Sequence, residues 1–302
     1  MRIKELASAI RGGNRVALAK GITLAENDHA KAARLLAYLG SPQGAFVVGV
    51  TGPPGTGKSS LVDRLIEVYR KKGLRVGVIA VDPSSPITGG ALLGDRIRMA
   101  SHAGDLSVFI RSMASRGWSG GLSRATSQVI RLMDAAGYDL ILLETVGIGQ
   151  SDIEVVGVSH AVLVVLMPGL GDDIQVSKAG LMEIGDVYVV NKADLEGADI
   201  MVVSLLSIFR GTSHSPPVLK VSALSGEGID RLQEAIEKIR STFEAGGPDL
   251  RIRSIRGMII ETARGAAMEK LAALSESKAD SLARQVMEGK TTIEAAAAKL
   301  GD

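Results

Sequence analysis

Phe46-Val47-Val48-Gly49-Val50-Thr51-Gly52-Pro53-Pro54-Gly55-Thr56-Gly57-Lys58-Ser59-Ser60 carries the pattern from which the fold class is read. Its first six residues form a short apolar run that reads as a strand. Gly52–Ser59 then fits G-x-x-x-x-G-K-[ST], and a helical pattern starts near Lys58. Strand, glycine loop and helix in that order are the context a phosphate-binding P-loop requires. Glycines let successive backbone N–H groups turn inward around phosphate oxygens, and the helix N-terminus adds the positive end of its dipole. Lys58 is expected to pair with the β- and γ-phosphates and the Ser59 hydroxyl to bind magnesium. Gly52, Pro53, Pro54, Gly55, Thr56, Gly57 and Ser60 make up the rest of the cradle.

Beyond this loop, short apolar runs alternate with helical patterns from Phe46 to Phe243. The strand candidates are 46–51, 75–81, 107–110, 139–144, 162–167, 186–190 and 218–221. Helical stretches lie between most of them, the signature of βαβ units and a mainly parallel sheet. The fold class is therefore α/β. Residues 1–40 read as two or three amphipathic helices broken at Gly12-Gly13-Asn14, and Ser41-Pro42-Gln43-Gly44 reads as a linker. Ala245-Gly246-Gly247-Pro248 punctuates again, and the chain from 249 to 302 is rich in Ala, Glu, Lys, Leu and Arg. The expected division is an N-terminal helical extension (1–40), a P-loop domain (41–245) and a C-terminal helical arm (246–302).

A P-loop does not choose the base; the loops after later strands do. Asn191-Lys192-Ala193-Asp194 directly follows the strand Asp186–Val190. In an N-K-x-D arrangement the Asp194 carboxylate accepts two hydrogen bonds, from guanine's ring N–H and exocyclic amine. Adenine has neither donor there and would leave the carboxylate unpaired. Asn191 ties the loop together, and the Lys192 stem can lie along the base. Ser222-Ala223-Leu224 follows the next strand as a second base-contacting loop, with the backbone N–H near Ala223 expected to meet the guanine carbonyl. GTP and GDP are the nucleotides these loops select.

The strand Asp139–Leu143 ends in Glu144-Thr145-Val146-Gly147, so the usual D-x-x-G of GTPases reads E-x-x-G here. Glu144 is expected to hold magnesium through a water, and the Gly147 N–H to sense the γ-phosphate. Ile148 stands where many small GTPases place a glutamine that orients the attacking water, so unaided hydrolysis should be slow. Asp82 ends the strand Val76–Val81, and Asp95 lies in Leu92–Met99. Acids on loops at the carboxyl ends of parallel strands point into the ligand crevice. As residues alone, each is equally readable as a helix cap or an ion-pair partner.

Composition narrows the rest. Among 302 residues, 35 Lys and Arg mingle with 33 Asp and Glu for a net charge of +2, with no basic block to anchor a nucleic acid. The absence of cysteine removes disulfides, thiolate metal sites and cysteine nucleophiles. The four histidines, His29, His102, His160 and His214, are isolated from one another. No apolar run approaches a membrane span, and Met1–Glu5 leads into a polar helix rather than a signal core. The expected compartment is the cytoplasm.

Asp82–Gly90, Gly94–Met99, Arg111–Gly117, Gly120-Gly121-Leu122-Ser123 and Glu144–Ser151 together resemble the methylmalonyl-CoA mutase-associated GTPases, some of which carry the older name of arginine/ornithine transport kinases. The similarity runs from about residue 1 to residue 270 and is densest between 46 and 224. The resemblance implies a P-loop domain of the signal-recognition and septum-site GTPase class, a C-terminal arm used in homodimers, and a GTP-driven chaperone. Such proteins bind a cobalamin-dependent acyl-CoA mutase, gate delivery of its cofactor, and protect or reactivate it. It also implies that Asp82, Asp95 and Glu144 serve magnesium and the attacking water. Finally, it implies that Asp172, Gln175 and Lys178, in Gly171–Lys178, couple nucleotide state to the mutase. Three other readings compete: a kinase of the transport type, a nickel-type metallochaperone GTPase, which the missing Cys and His cluster opposes, and a purely structural nucleotide-stabilised dimer.

Overall fold

The computed structural model describes residues 2–82, 100–102, 104–114, 124–145, 151–169, 180–211, 215–272 and 276–301. Three helices come first: α1 (Ile3–Arg11), α2 (Arg15–Asn27) and α3 (His29–Leu39). The glycine break separates α1 from α2, where the Asn14 side chain caps α2 by accepting the Ala17 N–H at 2.9 Å. The second break has no glycine or proline. Asp28 makes it by capping α3, accepting the Lys31 N–H at 3.0 Å.

The remaining elements alternate. They are β1 (Phe46–Thr51), α4 (Lys58–Lys71), β2 (Val76–Asp82), β3 (Val108–Ala114), α5 (Arg124–Ala135), β4 (Leu140–Glu144), α6 (Ser151–Val158), β5 (Ala161–Leu166), α7 (Leu181–Ile184), β6 (Val187–Val190), α8 (Ala198–Phe209), β7 (Val218–Lys220) and α9 (Ile229–Ala245). Three more helices complete the chain: α10 (Gly247–Ala272), α11 (Glu276–Met287) and α12 (Ile293–Gly301). The seven strands form one sheet in the order β3-β2-β4-β1-β5-β6-β7, and each pairing among the described residues is parallel. Every expected strand has its counterpart. Only β3 runs well past its expected end at residue 110, because Arg111 and Ser112 interrupt the apolar run while the ladder to β2 continues through Ile79↔Arg111 and Ala80↔Ser112.

The alternation of side chains across the pleat divides the core in two. Val47, Ile141, Leu143, Val162 and Val164 enter the cluster that also holds the N-terminal helices through Leu6, Ile10, Leu18, Ile22 and Leu35. Their chain neighbours Phe46, Val48, Leu140, Leu142 and Leu163 enter the cluster under α4 and α9, with Leu61, Leu65, Ile66, Leu232 and Ile236. Both faces of the sheet are thus covered, as an all-parallel sheet requires. Truncating a fully buried residue such as Leu65 to alanine should cost about 2–5 kcal/mol. The strand order reverses about β1, so the loop that leaves β1 sits at a topological switch point, where parallel sheets bind ligands. No helix among the described residues is long and apolar enough to cross a membrane.

Candidate nucleotide site

The loop 52–57 joins β1 to α4, and two of its glycines are demanded by close approach. A Cβ on Gly52 (φ +136°) would fall 2.0 Å from the Val165 carbonyl oxygen of β5. On Gly57 (φ +87°) it would fall 2.5 Å from Asn191 Nδ2. The loop is therefore wedged between β5 and the loop after β6. The Thr56 hydroxyl donates to the Pro53 carbonyl at 2.9 Å and braces the turn from within. Lys58 is buried, and its ammonium donates to the carbonyls of Gly52 (2.8 Å) and Pro53 (3.0 Å). A buried ammonium needs such partners. Its charge is thereby held over the loop where phosphate oxygens would lie.

Ser59 and Glu144 meet in the same corner. The Ser59 hydroxyl donates to Glu144 Oε1 at 2.7 Å, and each residue is only 5% exposed. Register explains the meeting, since Glu144 pairs with Val50 on β1 and with Ala80 on β2 at the carboxyl ends of the strands. A hydroxyl and a carboxylate side by side are hard oxygen donors, and they fit magnesium. The Thr145 hydroxyl donates to Thr51 Oγ1 at 2.9 Å and locks the two strand ends together. Asp82 closes β2 two residues beyond the partner of Glu144, which puts its backbone at the same edge of the sheet. Asp95, Gly147, Ile148, Asp172, Gln175 and Lys178 lie outside the described residues.

The loops after β6 and β7 are cross-linked to the P-loop by one side chain. Asn191 Nδ2 donates to the carbonyls of Thr56 (2.7 Å) and Gly57 (3.4 Å), while Oδ1 accepts the Ala223 N–H at 3.1 Å. Among the described residues Lys192 is the one non-glycine with a left-handed backbone, φ +56°. It turns the chain between Asn191, which reaches back to the P-loop, and Asp194, which reaches the following loop. There the Ser222 hydroxyl donates to Asp194 Oδ1 at 2.6 Å. That bond above all holds the Asp194 carboxyl below the usual carboxylate range, so it stays ionised as an acceptor. Because Asn191 already engages the Ala223 N–H, that donor is not left for a base alone, as the motif by itself suggests.

A cavity of about 390 Å³ opens between these parts, lined by Gly57 and Ser60, by Asp63, Arg64 and Glu67 of α4, and by Asn191, Lys192, Asp194, Ala223 and Leu224. The three α4 side chains were not singled out from the sequence. A signal was present: Ser60, Asp63, Arg64 and Glu67 recur at i, i+3, i+4 and i+7, which places a polar stripe on one face of the helix after the P-loop. The arrangement can seat a nucleotide with phosphates at Lys58 and Ser59 and a base against Asp194. Its ionised acceptor suits a ring that presents two N–H donors on one edge.

Residues 18–279 match the family described as methylmalonyl Co-A mutase-associated GTPase MeaB. A Pyrococcus horikoshii protein that bears a GTPase name is 50% identical over 253 residues, covering 81% of this chain and 80% of the relative. GTPase ArgK of Escherichia coli is 38% identical over 270 residues, covering 84% and 80%. A crystal structure of an LAO/AO transport system kinase superposes with a TM-score of 0.73 at 28% identity, covering 99% of this chain and 96% of that one. Fold, P-loop and family match agree: the chain is a GTPase and belongs to the methylmalonyl Co-A mutase-associated GTPase MeaB family.

Proposed function

We propose that this GTPase is a nucleotide-driven chaperone of a cobalamin-dependent acyl-CoA mutase of the methylmalonyl-CoA type, gating cofactor delivery and protecting or reactivating the mutase. The observation that carries the nucleotide half of this reading is the double clamp at the base loops. Asn191 ties the P-loop to Ala223, and Ser222 fixes the ionised Asp194. The mutase half is supported by the family to which the chain belongs.

In this reading Lys58 and the backbone of Gly52–Ser60 hold the β- and γ-phosphates, and Asp194 takes the two N–H donors of guanine. Ser59 and Glu144 would hold magnesium, joined by Asp82 and Asp95, and the ion would supply positive charge to offset the charge of the transferring phosphoryl group. The Gly147 N–H senses the γ-phosphate. With Ile148 in place of a water-orienting glutamine, the free protein turns GTP over slowly and the docked mutase completes the site. Asp172, Gln175 and Lys178 carry the coupling. The protein acts as a cytoplasmic homodimer joined through the arm 246–302, with the boundaries 1–40 and 41–245 setting off its other two parts.

The test is the GTPase rate of the purified protein with and without methylmalonyl-CoA mutase. We expect stimulation by the mutase, with phosphate released to water. Lys178→Ala should keep the basal rate and lose much of the stimulation. Transfer of the γ-phosphate to a protein or small-molecule acceptor would instead favour a transport-system kinase. No stimulation by any acyl-CoA mutase would remove the chaperone reading.

A further inference from the structure

Arg64 has no part in the roles assigned so far, yet each of its three guanidinium nitrogens is committed. Nε donates to the Ala223 carbonyl at 2.8 Å, Nη2 to the Leu224 carbonyl at 2.9 Å, and Nη1 to Glu67 Oε2 at 3.0 Å. Arg64 stands on α4, the helix that opens with Lys58 and Ser59, so a rigid element links the phosphate cradle to the loop after β7. In that loop Ala223 is buried in the core, but the side chain of Leu224 is 81% exposed and gives the next residue no apolar anchor. The N–H of Ala223 is held by Asn191 and that of Ser222 by the Glu227 carbonyl, but the two consecutive carbonyls of Ala223 and Leu224 are gripped by Arg64.

We propose that Arg64 is a positioning residue for guanine recognition, one that sets the direction of the Leu224 N–H offered to the 6-carbonyl of the base. In a planar trans peptide the C=O and N–H point in opposite directions, so fixing the Ala223 carbonyl fixes the Leu224 N–H. A guanidinium fork holds two carbonyls in one plane, whereas a lysine ammonium is a point donor on a flexible stem. Glu67 supports the fork from one turn further along α4. The proposal rests on the guanine reading of the site.

The experiment compares binding of four triphosphates by calorimetry, for the parent and for Arg64→Ala. GTP and ITP carry the 6-carbonyl; ATP and 2-aminopurine riboside triphosphate lack it. We expect Arg64→Ala to weaken GTP and ITP by about tenfold each, with ATP and the 2-aminopurine nucleotide unchanged within about twofold. The ratio of GTP to ITP affinity should not move, because the 2-amino group is read by Asp194. Arg64→Lys should show most of the same selective loss, and its milder change secures the comparison if the alanine variant folds poorly. An equal loss for all four nucleotides, in whichever variant folds, would make Arg64 a general structural support and overturn the proposal. Unchanged GTP affinity would overturn it too. A parent that does not prefer GTP to ATP would instead sink the guanine reading, and the proposal with it.

Discussion

The base-reading role proposed for Asp194 needs more than the carboxylate itself, because the group must also be held still. Its carboxylate is exposed, yet the Ser222 hydroxyl at 2.6 Å orients it and keeps it ionised. Substituting Asp194→Asn keeps the shape and exchanges one acceptor for a donor. In this variant GTP affinity should fall on the order of a hundredfold, because a charge-assisted pair is lost and the remaining amide meets a like donor. Xanthosine triphosphate, which presents an oxygen where guanine has its amine, should bind better than it does to the parent. Calorimetry with both nucleotides reads this directly, and unchanged GTP affinity would take Asp194 out of the base site. The motif spelled out this residue in the sequence. Ser222 was legible as part of its own loop, but its bond to Asp194 spans two loops and required the fold.

At the scale of elements, the N-terminal helices pack on the sheet through a shared core, and Asp134 of α5 anchors the linker that joins them to it. Its carboxylate accepts the N–H groups of Gln43 (2.6 Å), Gly44 (2.9 Å) and Ala45 (2.8 Å), which orients the linker as it enters β1. Gln43 and Gly44 are exposed, so water can replace the acceptor there, but Ala45 is buried. Asp134→Ala should therefore cost about 2 kcal/mol, read as a lower urea midpoint at an unchanged slope. A loss too small to measure would mean that the linker finds other partners. Nothing near Asp134 marked it in the sequence, since its partners lie about ninety residues away. The same holds for Arg64, whose loop partners are 159 and 160 residues distant. By contrast Asn14 caps α2 from three residues away, within reach of local reading.

For the molecule as a whole, His160 makes folding depend on pH. Its ring lies between Phe46, at 5.4 Å, and Phe243 of α9, at 4.3 Å, and Nδ1 accepts the Val47 N–H at 2.8 Å. Burial lowers its pKa from 6.5 to about 4. In the unfolded chain the imidazole takes up its proton near pH 6.5, while the folded protein refuses it until about 4. Stability from this group is thus full above pH 6.5 and is lost as the pH falls towards 4. Between pH 7 and pH 5 the loss should be about 2 kcal/mol. Carboxylates titrate in part of the same range, so the useful quantity is a difference. Urea unfolding of His160→Gln, which keeps an acceptor for Val47, should fall less over that interval by about this amount. Parallel curves for parent and variant would show that His160 carries no such linkage.

Much about this protein was written in contiguous sequence. Runs of valine and leucine announced the strands, the spacing G-x-x-x-x-G-K-S announced the P-loop, and N-K-x-D announced the loop proposed to read the base, because each pattern is spelled out within one turn or one strand. The tertiary structure decided what depends on distance along the chain. Parallel pairing at a switch point brought Ser59 to Glu144 across 85 residues, and Asn191 to both the P-loop and Ala223. It also turned a polar stripe on α4 toward the cavity instead of the solvent. Local patterns state what a residue can bond, but which partner it meets is set by the order of strands and the packing of helices upon them.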